Sequence, residues 1–322
     1  MSHALASSTR GAVLVLVVVL GALADAQTLS SSGGVSVQPL TRHIYASAVD
    51  KHGQPVTDLQ AADFEVKEGG KTRQVATAEP AKVPLRVAML VADQGTGAFQ
   101  LGVARFMQKL LGHAEFTLVS VVVQPETVVD YSHEGKELSA GVSRLGPRGR
   151  QAGAQLMEAI QDATKDIWHE DRRPVIVVMR LGAEAASSIS AEDVRKQLQQ
   201  SGAALYVISA VGADGAAPPQ ARGTDAVSVQ QGQMRDSELA EGAFNLAQVL
   251  GDGAKESGGR HDQVVANTHA RALEQLADEL LHQYEITYTL PDGVPPNEKL
   301  SVSSKRKGVT VRAPSRLPAR KP

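Results

Sequence analysis

The sequence predicts an α/β fold: a doubly wound, mostly parallel sheet inserted in a small antiparallel β-sandwich made from both chain ends. Two patterns predict it. Nearly continuous apolar runs alternate with helix-period segments through the middle of the chain, which is how strands buried on both faces of a parallel sheet read. Segments that alternate apolar with polar residues lie at both ends, and neither end alone has enough strands to be stable in water. With 322 residues and no cysteine, the chain depends on a packed core rather than on disulfides.

Residues 1–26 run from polar and weakly basic through an apolar stretch to small residues, the order of a secretory signal peptide with cleavage after Ala24 or Ala26. The apolar stretch is shorter than the roughly 20 residues that span a bilayer. A secreted or periplasmic location without a stable membrane span is therefore expected. A Ser/Gly linker (27–34) follows, then the first β portion (35–80), with turns at Gly53 and Pro55 and at Gly69-Gly70.

From Leu85 the pattern changes. An apolar run ends at Asp93, and Phe99, Val103, Phe106, Met107 and Leu110 then repeat at helical spacing. The alternation continues with strand 116–123, an edge strand near 127–131, helix 152–168, strand 174–179, helix 191–200 and strand 204–211. Ser190 with Asp193 reads as the cap of one helix and Gly202 as its stop. Residues 212–233, rich in Gly and Pro, read as a loop, and helices are expected near 237–250 and 267–283. The α/β unit thus covers 84–283, the second β portion 284–312, and a basic disordered tail 313–322.

The stretch Ala48-Val-Asp-Lys-His-Gly-Gln-Pro-Val-Thr-Asp-Leu-Gln-Ala-Ala-Asp-Phe-Glu-Val-Lys-Glu-Gly-Gly70 resembles the opening of the VWFA-related Acidobacterial domain family. Its members read D-x-x-G-x-P-V-x-x-L-x-x-x-D-F-x-V-x-E-D-G there, before a von Willebrand factor type A (VWA) domain. Ser257-Gly-Gly-Arg260 and the segment 280–288 also resemble that family's closing segments. The resemblance implies the fold and export. VWA domains that bind through a metal use Asp-x-Ser-x-Ser after the first strand, a Thr from a second loop and an Asp from a third. Such a set gives a hard cation several convergent oxygens.

Here the first loop is Asp93-Gln94-Gly95-Thr96-Gly97, the threonine position is Ala154, and Thr-Asp-Gly is replaced by Arg180-Leu-Gly182. One carboxylate remains and an arginine adds positive charge, so no metal and no cofactor is expected. Asp93 is read as bonding loop amides or capping the next helix. Residual ligand candidates are Asp93 and Thr96, with Glu158 or Glu184 as substitutes.

Arg144, Arg148, Arg150, Arg172 and Arg173, with Arg180, are candidates for a patch that recognises an anion or a carboxylate directly, against the alternative of scattered surface arginines. Gly95-x-Gly97 with Gly102 is a poor phosphate turn, because the third glycine falls at Gln100 and no Walker lysine follows. His261, Asp262 and His269 match no metal spacing and read as exposed loop or helix-surface groups. Trp168 reads as a core or rim residue. No G-x-S-x-G or H-E-x-x-H motif occurs, which leaves serine hydrolase and zinc protease chemistry unsupported. A net charge of −2 gives no field for nucleic acid. The expected function is a non-catalytic, exported protein-interaction module with an unknown protein partner. A structural subunit of an envelope assembly is the alternative, and a metal-dependent adhesin or nucleotide-binding enzyme the remaining one.

Overall fold

The computed structural model describes residues 40–149, 154–181, 187, 189–211, 226–265 and 267–318, with only the backbone of 211 and 226–236. The signal segment, the linker, Arg150, Gly182, Glu184 and the last four residues of the tail lie outside the described residues.

The central sheet is built on β5 (Leu85–Ala92), which pairs in parallel with β6 (Ala114–Val121) on one side and β8 (Arg173–Leu181) on the other. Beyond β6 lies β7 (Pro125–Ser132), the antiparallel edge strand. Beyond β8 come β9 (Ala204–Val211) and β10 (Arg260–Val265), both parallel. The full order is β10-β9-β8-β5-β6-β7. The chain winds outward from β5 in one direction, then returns and winds out in the other, so the order reverses between β5 and β8. Open α/β sheets place their ligands outside the carboxyl ends of the strands at such a reversal.

Alternate residues of the strands face two apolar layers. Val87, Met89 and Val91 pack with Phe99, Val103, Phe106, Leu273, Leu276 and Leu280, from α1 (Gln100–Leu110), α7 (His269–Leu281) and the turn before α1. Ala88, Leu90, Ile176 and Val178 pack with Ile160, Val194 and Leu250, from α3 (Leu156–Asp166), α4 (Ala191–Ser201) and the π-helical turn Val249–Gly253 that ends α5 (Ala226–Gln248). Each large apolar side chain fully buried here contributes about 1.5–3 kcal/mol. Helix α2 (Gly135–Ser143) lies against β7, where its Gly141 has a Val129 methyl 2.1 Å from the place a Cβ would take. The Ser190 hydroxyl accepts from Asp193 N at 3.1 Å, and Gly202 closes α4 in the left-handed conformation.

The helix start near 237 moves forward in the structure, since α5 already runs from Ala226. A fifth parallel strand, β10, stands where the sequence reads as glycine-rich loop. It begins where α6 (Ala254–Glu256) hands over to Ser257-Gly-Gly. A Cβ on Gly259 would lie 1.9 Å from the Leu205 carbonyl oxygen, and one on Gly258 would lie 2.7 Å from the Ala313–Pro314 backbone. Ser257 accepts from Leu205 N at 2.9 Å, so this tripeptide docks β10 directly beside β9.

The remaining strands come from both ends of the described chain. β1 (Leu40–Val49) pairs antiparallel with β11 (Tyr284–Leu290) and β13 (Thr310–Arg312), and β4 (Val75–Pro80) extends that sheet beyond β11. A second antiparallel sheet joins β12 (Leu300–Ser304), β2 (Phe64–Glu68) and β3 (Lys71–Arg73). Residues of both sheets, among them Ile44, Phe64, Val66, Ile286, Tyr288 and Leu300, share one apolar cluster.

Within it Glu68, fully buried, accepts from Tyr288 Oη at 2.7 Å and Asn297 N at 2.6 Å, and meets Arg42 at 3.3 Å. Burial, reinforced by that acceptor, pushes the Tyr288 phenol above its ordinary value, so it stays a neutral donor. Arg173 joins these sheets to the central one by donating to Val83 O, Leu280 O and Gln283 Oε1. Burial pulls its guanidinium down to about 10, still charged at neutral pH. Among the described residues no helix is long and apolar enough to cross a membrane.

Candidate functional site

The carboxyl end of β5 delivers Asp93 into the reversal point. Its side chain is fully buried, and each oxygen is used: Oδ1 accepts from Gly95 N at 2.9 Å and Oδ2 from Gly97 N at 2.7 Å. Its carbonyl accepts from Thr96 N at 3.1 Å and from the Thr96 hydroxyl at 2.7 Å. The loop therefore closes on its own aspartate. To do so it takes three left-handed residues, Gln94 (φ 57°), Gly95 (φ 74°) and Gly97 (φ 74°). Glycine adopts that conformation freely, whereas Gln94, mostly buried, holds it at a steric cost.

A second loop, 146–149, sits directly on the first. Arg148 N donates to Gly95 O at 2.8 Å. The Gly149 carbonyl oxygen lies 2.4 Å from where a Cβ on Gly95 would be, and Pro147 N lies 2.9 Å from that of Gly97. The two glycines thus serve the close approach as well as the turn. The loop is also anchored from α1, where Gln100 Nε2 donates to Val142 O at 3.0 Å and Ser143 O at 3.3 Å. Arg148 Nη2 comes to 4.0 Å from Asp93 Oδ1, with 31% of the arginine side chain exposed.

Of the other sequence candidates, Ala154, Glu158 and Arg180 come to this end of the sheet, whereas Arg172 and Arg173, at the amino start of β8, stand at the other end and do not join Arg148. Ala154 is buried in the apolar layer under α3. Arg180 is registered beside Ala92 on β5 and Ser209 on β9, at the same end of the sheet as Asp93. Glu158, in the first turn of α3, accepts from the Ser187 hydroxyl at 2.7 Å, and its second oxygen is buried without a hydrogen-bond donor among the described residues. Among those residues no group of three or more His, Asp or Glu side chains is placed to hold a metal ion. Trp168 is 47% exposed, a rim position rather than a core one. A cavity of about 510 Å³ lies at the amino-terminal ends of β9 and β10, beside Arg195, Gln199, Gly202, Glu256 and Ser315, whereas Asp93 stands at the carboxyl end of β5.

His261 is not the exposed loop group that the polar flanks suggest. It stands on β10, half-buried, with Nε2 2.8 Å from Ser209 Oγ. Burial, and then the Arg180 charge, holds its imidazole below the usual 6.5, against the opposing pull of Asp262. The unfolded chain therefore takes up a proton more readily than the folded one. The stabilisation is complete above about pH 6.5 and is lost as pH falls through the lower folded-state value. Urea unfolding of the protein and of His261→Gln at pH 7.5 and pH 5 checks this. The variant should lose less stability on acidification, and equal losses would assign the acid sensitivity to other groups.

No family model matches the sequence, and no curated protein matches it. Solved structures similar to it include the conserved hypothetical protein BatB of Bacteroides thetaiotaomicron (13% identity, 61% of this chain and 97% of that one, TM-score 0.40). The vWF domain of the type V pili tip protein Mfa5 of Porphyromonas gingivalis is similar at 12% identity, over 62% of this chain and 96% of that one, TM-score 0.41. Proximal thread matrix protein 1 of the mussel byssus, with a zinc-occupied MIDAS motif, is similar at 12% identity, over 66% and 49%, TM-score 0.42.

Proposed function

We propose that this chain is an exported, non-catalytic, VWA-like interaction module that binds a protein partner without a metal, through the crevice outside β5 and β8. The reading takes residues 1–26 as a cleaved signal segment and 84–283 as the binding unit. Residues 35–80 and 284–312 make the small sandwich from which that unit emerges.

One observation carries the reading. The positions where the resemblance expects serine ligands are glycines with left-handed backbone, seated against the Gly149 carbonyl and Pro147, and the surviving aspartate spends both oxygens on their amides. A hard cation needs several convergent oxygens and an open position. Ala154 offers none, and Thr96 Oγ1 donates to the Asp93 carbonyl instead.

The test is the melting temperature in millimolar Mg²⁺ or Mn²⁺ against chelator. A ligand at about 100 times its Kd stabilises the native state by about 2.7 kcal/mol. In a chain of this size that is about 4–5 °C. The expected difference is within about 1 °C, and a metal-dependent rise of several degrees would overturn the proposal.

A further inference from the structure

We infer that Arg148 is a built-in cation at the crevice and receives a carboxylate of the partner directly. The inference rests on the metal-independent reading above and names the ligand chemistry of that same site. Asp93 holds a negative charge away from water, and its oxygens are already engaged by the Gly95 and Gly97 amides at 2.9 and 2.7 Å. At 4.0 Å the nearest Arg148 nitrogen is close enough to be attracted and too far to donate. Among the described residues the guanidinium is held by charge alone, and no acceptor takes a hydrogen bond from it. Its main chain is fixed by the 2.8 Å bond to Gly95 O, which limits the ordering cost of binding.

A partly exposed, anchored guanidinium with unspent donors is matched by a planar carboxylate, which accepts two parallel N–H bonds. A phosphate dianion fits less well, because a single guanidinium already facing the Asp93 carboxylate balances only part of its two charges. The occupant is therefore the side-chain carboxylate of an Asp or Glu on the partner. This places the recognising charge on the loop 146–149 rather than on an ion.

The experiment is an NMR titration of the whole chain with sodium acetate in chelator, following Arg148 Nε–Hε and the Gly95 amide. Sodium chloride at matched ionic strength and inorganic phosphate are run in parallel. Acetate should give saturable shifts that chloride does not, and phosphate should bind more weakly. Arg148→Gln keeps the main-chain bond to Gly95 and should weaken acetate binding at least about tenfold, the loss expected for a charged hydrogen-bonded contact. Arg148→Lys, a milder change should the first variant unfold, keeps charge without the fork and should fall between.

Wild-type-like titration of either variant, shifts equal to those in chloride, or tighter phosphate binding would overturn the inference. Repeating the titration with Mg²⁺ separates the two claims. Acetate binding that requires Mg²⁺ sinks the metal-independent reading, whereas binding indifferent to both Mg²⁺ and Arg148 sinks only the role of Arg148.

Discussion

Restoring serine at Gly95 and Gly97 is expected to unfold the crevice rather than rebuild a cation site. Each substitution forces a residue with a Cβ into a left-handed conformation at φ 74°, which costs about 1–2 kcal/mol. At Gly95 the new Cβ would also lie 2.4 Å from the Gly149 carbonyl oxygen, a backbone atom that no side-chain rotation can move. Overpacking of that kind adds about 1–3 kcal/mol. Gly95→Ser alone should therefore lose about 3 kcal/mol in urea unfolding and melt about 5 °C lower. The double variant should lose more, though less than the sum, because both residues press on the same loop. Neither should gain a Mg²⁺-dependent rise in melting temperature. Variants of native stability would show that the two loops separate freely, and a metal-dependent rise would show that the serines had been the only parts missing.

That seat of one loop on another is also the part of the site least legible in the sequence. Asp93 stands out because an apolar strand ends there, and the glycines stand out by composition. The contact between Gly95 and Gly149 joins residues far apart in the chain through backbone atoms, and backbone contacts leave no side-chain pattern to read. The fold divides in the same way. Strands β5, β8 and β9 are apolar on both faces and announce themselves, whereas β10 reads Arg-His-Asp-Gln and does not.

Its charges belong to a covered edge: Arg260 is bonded to Asp262 and Glu279, and His261 to Ser209, so polar side chains do the covering that leucines do elsewhere. Helix α2 escapes for a related reason. Its buried side is Leu138, Gly141 and Val142, and the glycine is demanded by Val129 on the neighbouring strand rather than by helix preference. The residues that follow the Gly69-Gly70 turn divide between two sheets. Lys71–Arg73 stays with β2, and Val75–Pro80 crosses to the sheet of β11. Alternation specifies strand character here, but the choice of sheet is made by what lies on either side.

Glu279→Ala should be the most damaging change outside the crevice. The carboxylate is only 1% exposed and sits on α7 between two arginines, bonded to Arg260 of β10 and to Arg312 of β13, the latter at 3.1 Å. It thus ties the outer parallel strand and the last strand of the chain-end sheet to one helix. Removing it leaves two guanidinium groups, 17% and 22% exposed, facing each other with the carboxylate they shared gone. Breaking one side of a buried ion pair costs about 3–5 kcal/mol. Arg260 keeps Asp262 and its place over the Tyr206 ring, so the lower part of that range is expected. The loss should appear as a melting point about 5 °C lower and as faster protease cleavage around residues 304–309, where β13 is no longer held. The ion pairs and the apolar alternative are separable. Replacing Glu279, Arg260 and Arg312 together by Met should recover most of the stability, because a well-packed apolar triad of similar volume escapes the desolvation of three charges. A loss below about 1 kcal/mol for Glu279→Ala would mean that water already reaches the triad, since only exposed pairs contribute so little.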